Sequence, residues 1–254
     1  MTRRPGGGLA PSPIDGVLLD VDDTLVATRD AFRGALAAVL DRYAPGADVE
    51  AALALWRADP GGHYRAYTRG EQTFRQQRMT RANELHAAVG GPVLDDAAYD
   101  AWDAVFDAAF AAGWAAHDDA VPALDALLAA GVRVGALTNA RVGYQTDKLT
   151  RAGLADRVEV LVGVDTLGVG KPDPRVFLEG CARLGTDPAR TAYVGDELDV
   201  DAAAARAAGL VGVWLDRPGP RRVPVTEADV VAAGVHVIHD LAELPAVLDL
   251  STRP

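Results

Sequence analysis

Several things are scarce in this chain, and each scarcity excludes something. One cysteine, Cys181, stands in 254 residues, so no intrachain disulfide forms and a reducing, cytoplasmic setting is expected. No apolar run approaches the roughly 20 residues that a membrane-spanning helix needs. Positive charge is short: 25 Lys and Arg face 36 Asp and Glu, a net charge of -11. That field repels phosphate backbones and makes nucleic acid a poor partner, although one locally positive site would still admit a small anion. Scarcest is lysine, with only Lys148 and Lys171, which makes each of them informative. The arginines of "MTRRPGGGLAPSP" have no apolar stretch behind them, so residues 1–13 are expected to form a flexible tail rather than a leader.

What is present is a rhythm of short apolar runs, each followed by turn residues and a helical pattern. The first is "VLLDVDDTL" (17–25), where Asp20, Asp22 and Asp23 crowd the end of a segment that wants to be buried. Like charges so close disfavour one another, so a positive partner is expected nearby. "VRVGALTN" (132–139), "VEVLVG" (158–163), "TAYVGDE" (191–197) and "VGVWLD" (211–216) repeat the pattern. Between them, Asp173, Pro174 and Gly185 read as cap, first turn and stop of one helix, and Gly209 as the stop of another. Alternating strands and helices predict a parallel sheet covered on both faces, with ligands bound beyond the carboxyl ends of the strands. Asp20, Asp22, Thr138 and Asp196 all stand at such ends.

Residues 27–118 break the rhythm with helical patterns and no convincing strand. Thr68 and Glu71 are spaced as a capping box before the helix "EQTFRQQRMTRANELHAAV". Phe74, Ala82, Leu85 and Val89 share one face of that helix, with Arg78 among them. Trp102, Phe106 and Phe110 recur at four-residue steps and are expected to form the core of the insert, beside a strip of Asp100, Asp103 and Asp107. The expected organisation is a tail (1–13), an α/β core (14–26 and 119–254) and a helical insert (27–118).

"DVDDTL" (20–25), "LTNA" (137–140), "GKPDPRVF" (170–177) and "VGDELDVD" (194–201) resemble, in order, the four motifs of the haloacid dehalogenase superfamily. The resemblance covers the chain beyond the tail. It implies a Rossmann-like, doubly wound core with a helical cap inserted after the first motif. Phosphoryl transfer needs a nucleophile in line, charge neutralisation and a proton donor for the leaving oxygen. Asp20 is the expected nucleophile, forming an aspartyl-phosphate. Asp22, two residues on along the strand direction, faces the same way and is placed to protonate the leaving alkoxide. The Thr138 hydroxyl, the Asn139 amide and Lys171 are expected to hold phosphoryl oxygens. The resemblance further implies Mg²⁺, held by the Asp20 carboxylate, the Asp22 carbonyl and the Asp196 carboxylate, with Asp201 acting through water and Glu197 a further candidate. Two positions depart from the family pattern. Asp23 stands where glycine is frequent, with a side chain expected to be solvated, and Glu197 stands where serine is frequent.

Within the superfamily, Asp22 argues for phosphoryl transfer over dehalogenation, and an insert without lysine closes the Schiff-base route of the phosphonate hydrolases. The expected activity is a Mg²⁺-dependent phosphatase for a small phosphorylated metabolite. A phosphosugar mutase and a silent binding module on the same fold are the alternatives. Arg78, His63, Tyr64 and Arg65 are the insert residues proposed to reach the substrate. Lys148, in a helical stretch, is expected to be solvated, and the remaining histidines (His86, His117, His236 and His239) show no metal-binding grouping.

Overall fold

The computed structural model of the protein describes residues 14–219 and 221–250. The expected tail at 1–13 therefore lies outside the described residues. The chain opens with strand β1 (Gly16–Leu19), then runs through five helices: α1 (Thr28–Tyr43), α2 (Val49–Ala58), α3 (His63–Thr68), α4 (Phe74–Val89) and α5 (Asp96–Ala112). Next come α6 (Ala120–Ala129), β2 (Arg133–Leu137), α7 (Val142–Arg151), β3 (Val160–Val162), the short α8 (Val164–Leu167) and α9 (Pro174–Leu184). The chain ends with β4 (Thr191–Gly195), α10 (Ala204–Ala207), β5 (Val211–Leu215), α11 (Glu227–Ala233), β6 (His236–Ile238) and α12 (Leu244–Val247). All six strands are parallel, in the order β3-β2-β1-β4-β5-β6. This is the doubly wound α/β architecture, and its order reverses between β1 and β4, where such sheets bind ligands.

The strands read as unbroken apolar runs because both faces are covered. Val17 and Leu19 of β1 pack into one core cluster with α6 and α12, while Leu18 packs with α9 on the other face. Alternation with period two sends Tyr193 of β4 to the same face as Leu18. Strand β6 carries no run that distinguishes it from a loop: it has three residues and only Ile238 is buried. Its edge position, against β5 alone, explains the weak signal.

Helices α1, α2, α4 and α5 build a core of their own. Trp102, Phe106 and Phe110 are buried there as expected, with Trp102 and Phe106 stacked at 5.0 Å and Phe110 stacked on Phe32 at 4.4 Å. The expected capping box is displaced. Thr73 caps α4, accepting from the Gln76 amide at 3.2 Å while the Gln76 side chain accepts from the Thr73 amide at 2.9 Å. Thr68 instead closes α3 by donating to the Arg65 carbonyl at 2.9 Å, and Glu71 pairs with Arg69 at 2.7 Å. The same spacing of residue types occurs twice within residues 68–76, and the copy that abuts the helix wins. The face that α4 buries is unusually polar: Gln77, Arg78, Arg81 and His86 are buried beside Ala82 and Leu85.

Asp119, just before α6, ties distant segments together. Its carboxylate accepts both Arg217 Nη atoms at 2.8 Å and the Leu241 amide at 2.9 Å, and Arg217 also donates to the Thr24 carbonyl at 2.9 Å. Burial pushes the Asp119 carboxyl up, but the Arg217 and Leu241 hydrogen bonds outweigh it, and the group sits below the ordinary carboxylate range. A depressed acid stabilises the fold above its unfolded pKa, and that contribution is lost as pH falls through the folded value. Asp119→Asn should therefore cost about 2 kcal/mol at pH 7. Thermal melts should show the deficit shrinking towards pH 3. A deficit independent of pH would remove the ionic part of this account.

Candidate active site

The carboxyl ends of β1, β2 and β4 bring the motif residues together. Asp20 directly follows β1, Thr138 and Asn139 follow β2, and Asp196 follows β4. Lys171 enters from the loop before α9, and Asp201 from a π-helical turn, Leu198–Ala203, after β4. Lys171 is 3% exposed, and its Nζ lies 2.8 Å from Asp20 Oδ1, 2.6 Å from Asp201 Oδ1 and 2.8 Å from the Tyr193 hydroxyl. Asn139 fixes the loop that delivers this lysine. Its Oδ1 accepts the Lys171 amide at 2.6 Å and its Nδ2 donates to the Lys171 carbonyl at 3.1 Å. That clamp leaves no room for a side chain at Gly170, whose Cβ would overlap Asn139, just as one at Gly195 would overlap Asp201.

Six acids gather here, and their countercharges are unequal. Asp22 is ion-paired with Lys148, Asp23 with Arg57 and Glu197 with Arg222. Asp20 and Asp201 share Lys171, and among the described residues no ion pair reaches the half-buried Asp196, so the three acids, when ionised, carry two more negative charges than Lys171 meets. Their carboxylate oxygens lie within 4.8 Å of one another, so the three acids can converge on one cation. The energetics follow. Burial, together with repulsion from Asp201 and Asp22, outweighs the attraction of Lys171 and pushes the Asp20 carboxyl up to about 7. Burial and four neighbouring acids likewise push Asp196 well above the carboxylate range. Lys171 is raised in turn, because Asp20, Asp201 and the Tyr193 oxygen outweigh the cost of its burial, so it stays charged. A site with hard oxygen donors and a surplus of two negative charges fits a divalent ion such as Mg²⁺.

Two expectations are corrected. Lys148 is not solvated: it is 1% exposed, because the aspartate at its tip and a ring of aromatic side chains replace water. Asp23 is not a solvated extra acid either. It adopts a left-handed φ of 59°, the conformation that favours glycine, and its carboxylate accepts the Thr28 hydroxyl at 3.0 Å and the Arg29 amide at 2.7 Å while pairing with Arg57 of α2. The side chain thus caps α1 and links the first turn after β1 to the helical insert. Glu197 stands apart from the three converging acids, drawn to Arg222, and its backbone amide donates to Asp201 Oδ2 at 3.0 Å.

The acids open into a cavity of about 250 Å³ between the sheet and the insert. Insert residues on its wall include Phe32, Trp56, Tyr64, Phe74, Arg78 and Arg81. Arg78 lies 4.5 Å above the Phe106 ring and pairs with Asp107 at 2.9 Å and Asp103 at 3.3 Å, so its charge is already met from α5. Arg65 reaches the wall while pairing with Asp199 at 3.0 Å across the insert–sheet seam. His63 is held by Glu84 at 2.9 Å and is not among the lining residues. Residues that the sequence reading passed over complete the site: Tyr193, Gln145, Arg57 and Arg222. Each is positioned by long-range pairing that no local pattern records.

A six-stranded doubly wound parallel sheet with a helical insertion after β1 and acids gathered at the strand ends places the protein in the class of Rossmann-like α/β folds that carry a helical cap. More particularly, the haloacid dehalogenase-like hydrolase model matches residues 14–209, and the chain belongs to that family. It is 38% identical over 101 residues to a glyceraldehyde 3-phosphate phosphatase of Methanopyrus kandleri, covering 40% of this chain and 43% of that protein. Such matches span about a third to a half of the curated relatives' lengths. A ribulose-1,5-bisphosphate 5-phosphatase of Halopiger xanaduensis is 29% identical over 244 residues, 92% of this chain and 98% of that one. Among solved structures, a HAD-hydrolase, YfnB, from Bacillus subtilis bound to magnesium shares the fold with a TM-score of 0.77 at 22% identity, covering 94% of this chain and all (100%) of that one.

Proposed function

We propose that this protein is a Mg²⁺-dependent phosphatase for a small phosphate monoester, working through an aspartyl-phosphate on Asp20. The observation that carries this reading is the unequal charge balance: Asp20, Asp196 and Asp201 converge within 4.8 Å, and Lys171 pairs with two of them, Asp20 and Asp201. The Asp20 and Asp196 carboxylates and the Asp22 carbonyl would hold the metal, with Asp201 behind them. Bound there, Mg²⁺ supplies charge that lets an anionic nucleophile meet an anionic phosphate.

The chain's own groups carry the rest. Asp20 attacks phosphorus in line. Lys171, the Thr138 hydroxyl and the Asn139 amide hold the phosphoryl oxygens while negative charge spreads over them. Asp22, in its protonated form, gives its proton to the leaving oxygen and, as the carboxylate that this leaves, takes one back from the water that cleaves the acyl phosphate. Residues 27–118 serve as a cap that excludes bulk water and chooses the substrate. The cavity suits a small metabolite rather than a polymer. Relatives named for glyceraldehyde 3-phosphate, phosphoglycolate and ribulose 1,5-bisphosphate support the same class.

Phosphate release from 4-nitrophenyl phosphate, with Mg²⁺ and after chelation, tests the reading directly. Silence in that assay and across a panel of phosphorylated metabolites would favour a binding module. Asp22→Ala should cost about 10²-fold or more on an alkyl phosphate and far less on the nitrophenyl ester, whose leaving group needs little help. Equal losses would remove the acid role.

A further inference from the structure

The second lysine remains outside the mechanism just described. Lys148 of α7 lies at the seam between the sheet and the insert, with its side chain 2% exposed. Burying an ammonium group this completely is costly unless it is paired. Its Nζ is ion-paired with Asp22 Oδ1. The other Asp22 oxygen, Oδ2, accepts Gln145 Nε2 at 2.7 Å, and the same amide lies 3.0 Å from the Thr138 hydroxyl. Gln145 and Lys148 are three residues apart on one helix, so both project to one face. Asp22 is therefore gripped at both oxygens by a single rigid element.

Three rings close around the ammonium: Phe110 at 5.2 Å, Tyr144 at 5.4 Å and Trp114 at 5.5 Å from Nζ to the ring centroids. Aromatic faces attract a cation, and more strongly where water is excluded. Phe110 belongs to α5 of the insert, Trp114 follows that helix, and Tyr144 belongs to α7. The cage is thus assembled from both sides of the seam, and the lysine inside it ends on the carboxylate assigned to proton transfer.

We propose that Lys148 is a positioning residue that, with Gln145, sets the orientation of the Asp22 carboxylate, and that the insert contributes Phe110 to hold it there. The inference rests on the phosphatase reading and goes beyond it by naming what aims the acid. Each of the two buried lysines then serves one aspartate of the first motif: Lys171 holds Asp20 and the phosphate side, and Lys148 holds Asp22 and the leaving-group side. A carboxyl group free to rotate would spend less time aligned with the leaving oxygen during the turnover state in which it carries the proton, and small misplacements of a proton donor are expensive.

The test is a double-mutant cycle on two esters, 4-nitrophenyl phosphate and glycerol 1-phosphate, with Lys148→Met, Asp22→Ala and the pair. Lys148→Met should lower kcat about 10²-fold on the alkyl ester and less than about tenfold on the nitrophenyl ester, with KM changed little. In the Asp22→Ala background it should add almost nothing, because a residue that acts through another loses its effect with it. Lys148→Arg should restore part of the alkyl activity. Equal losses on both esters, or full additivity with Asp22→Ala, would overturn the proposal and leave the phosphatase reading intact. Should Lys148→Met fail to fold, Gln145→Leu tests the same grip from the other oxygen, with the same ester contrast expected and equal losses again fatal. A wild type that releases phosphate from neither ester would overturn both readings.

Discussion

Asp20→Asn should abolish turnover, by at least about 10⁴-fold, and yet leave the protein as stable as before or more so. The first half follows from removing the carboxylate that the proposed mechanism uses to attack phosphorus. An amide oxygen is a poor nucleophile, and its neighbours cannot substitute: Asp201 is held by Lys171, Tyr193 and the Glu197 amide, and Asp196 enters from a different strand. The second half follows from the charge balance. In the metal-free protein the buried Asp20 and Asp201 share one lysine beside Asp196, and burial with repulsion pushes Asp20 up to about 7. An acid whose folded pKa is raised contributes stability that is full below its unfolded value and is lost as pH rises through the folded one. At pH 8 the wild type therefore bears the whole cost of an ionised Asp20, and the isosteric amide removes it. Lys171 is not orphaned, since Asp201 at 2.6 Å and the Tyr193 hydroxyl at 2.8 Å remain. Melts in chelator should show the variant gaining on the wild type at pH 8 and losing that advantage towards pH 4. Residual turnover within tenfold of wild type would remove the nucleophile assignment. A clear loss of stability at pH 8 would mean that the Asp20–Lys171 attraction outweighs the crowding.

Much of this arrangement was legible in the amino-acid sequence, for physical reasons. Strands β1, β2, β4 and β5 are buried on both faces and so read as apolar runs. The acids and the threonine that end them interrupt those runs and therefore stand out. Lys171 stood out because lysine is rare in this chain, and the same scarcity applied to Lys148. It was set aside because a helical lysine among polar neighbours ordinarily faces water. What reversed that was tertiary: Asp22 lies 126 residues earlier in the chain. Asp23 misled in the same way, since nothing local announces an arginine 34 residues ahead. Tyr193 was hidden differently. Inside an apolar strand it passes for core packing, yet its hydroxyl accepts from Lys171 at 2.8 Å and donates to the Leu137 carbonyl at 3.0 Å. In each case the pattern along the chain located the carboxylates, while their partners depended on contacts that only folding creates.

Lys171→Met should damage stability and activity together, unlike Asp20→Asn at the other end of the same ion pair. Methionine nearly matches the volume of lysine, so packing is spared and the consequence is electrostatic. Removing one member of a buried pair leaves the other uncompensated, at a cost of about 3–5 kcal/mol. Here two acids are stranded, Asp20 and Asp201, and the Tyr193 hydroxyl loses the donor it accepts from. A fall in melting temperature of roughly 10 °C or more is expected for a domain of this size, together with at least about 10³-fold loss of activity measured well below the melt. Mg²⁺ should restore part of the stability and little of the activity, because a cation shared by the acids relieves their repulsion without replacing the contact to phosphate. The two variants can then be combined. If the shared charge governs both, Asp20→Asn should rescue the stability of Lys171→Met, and the double variant should melt above the single lysine variant in chelator at pH 8. Strictly additive melting shifts, with no rescue, would show that the two residues contribute through separate neighbours, and the picture of Asp20 and Asp201 competing for one lysine would fail.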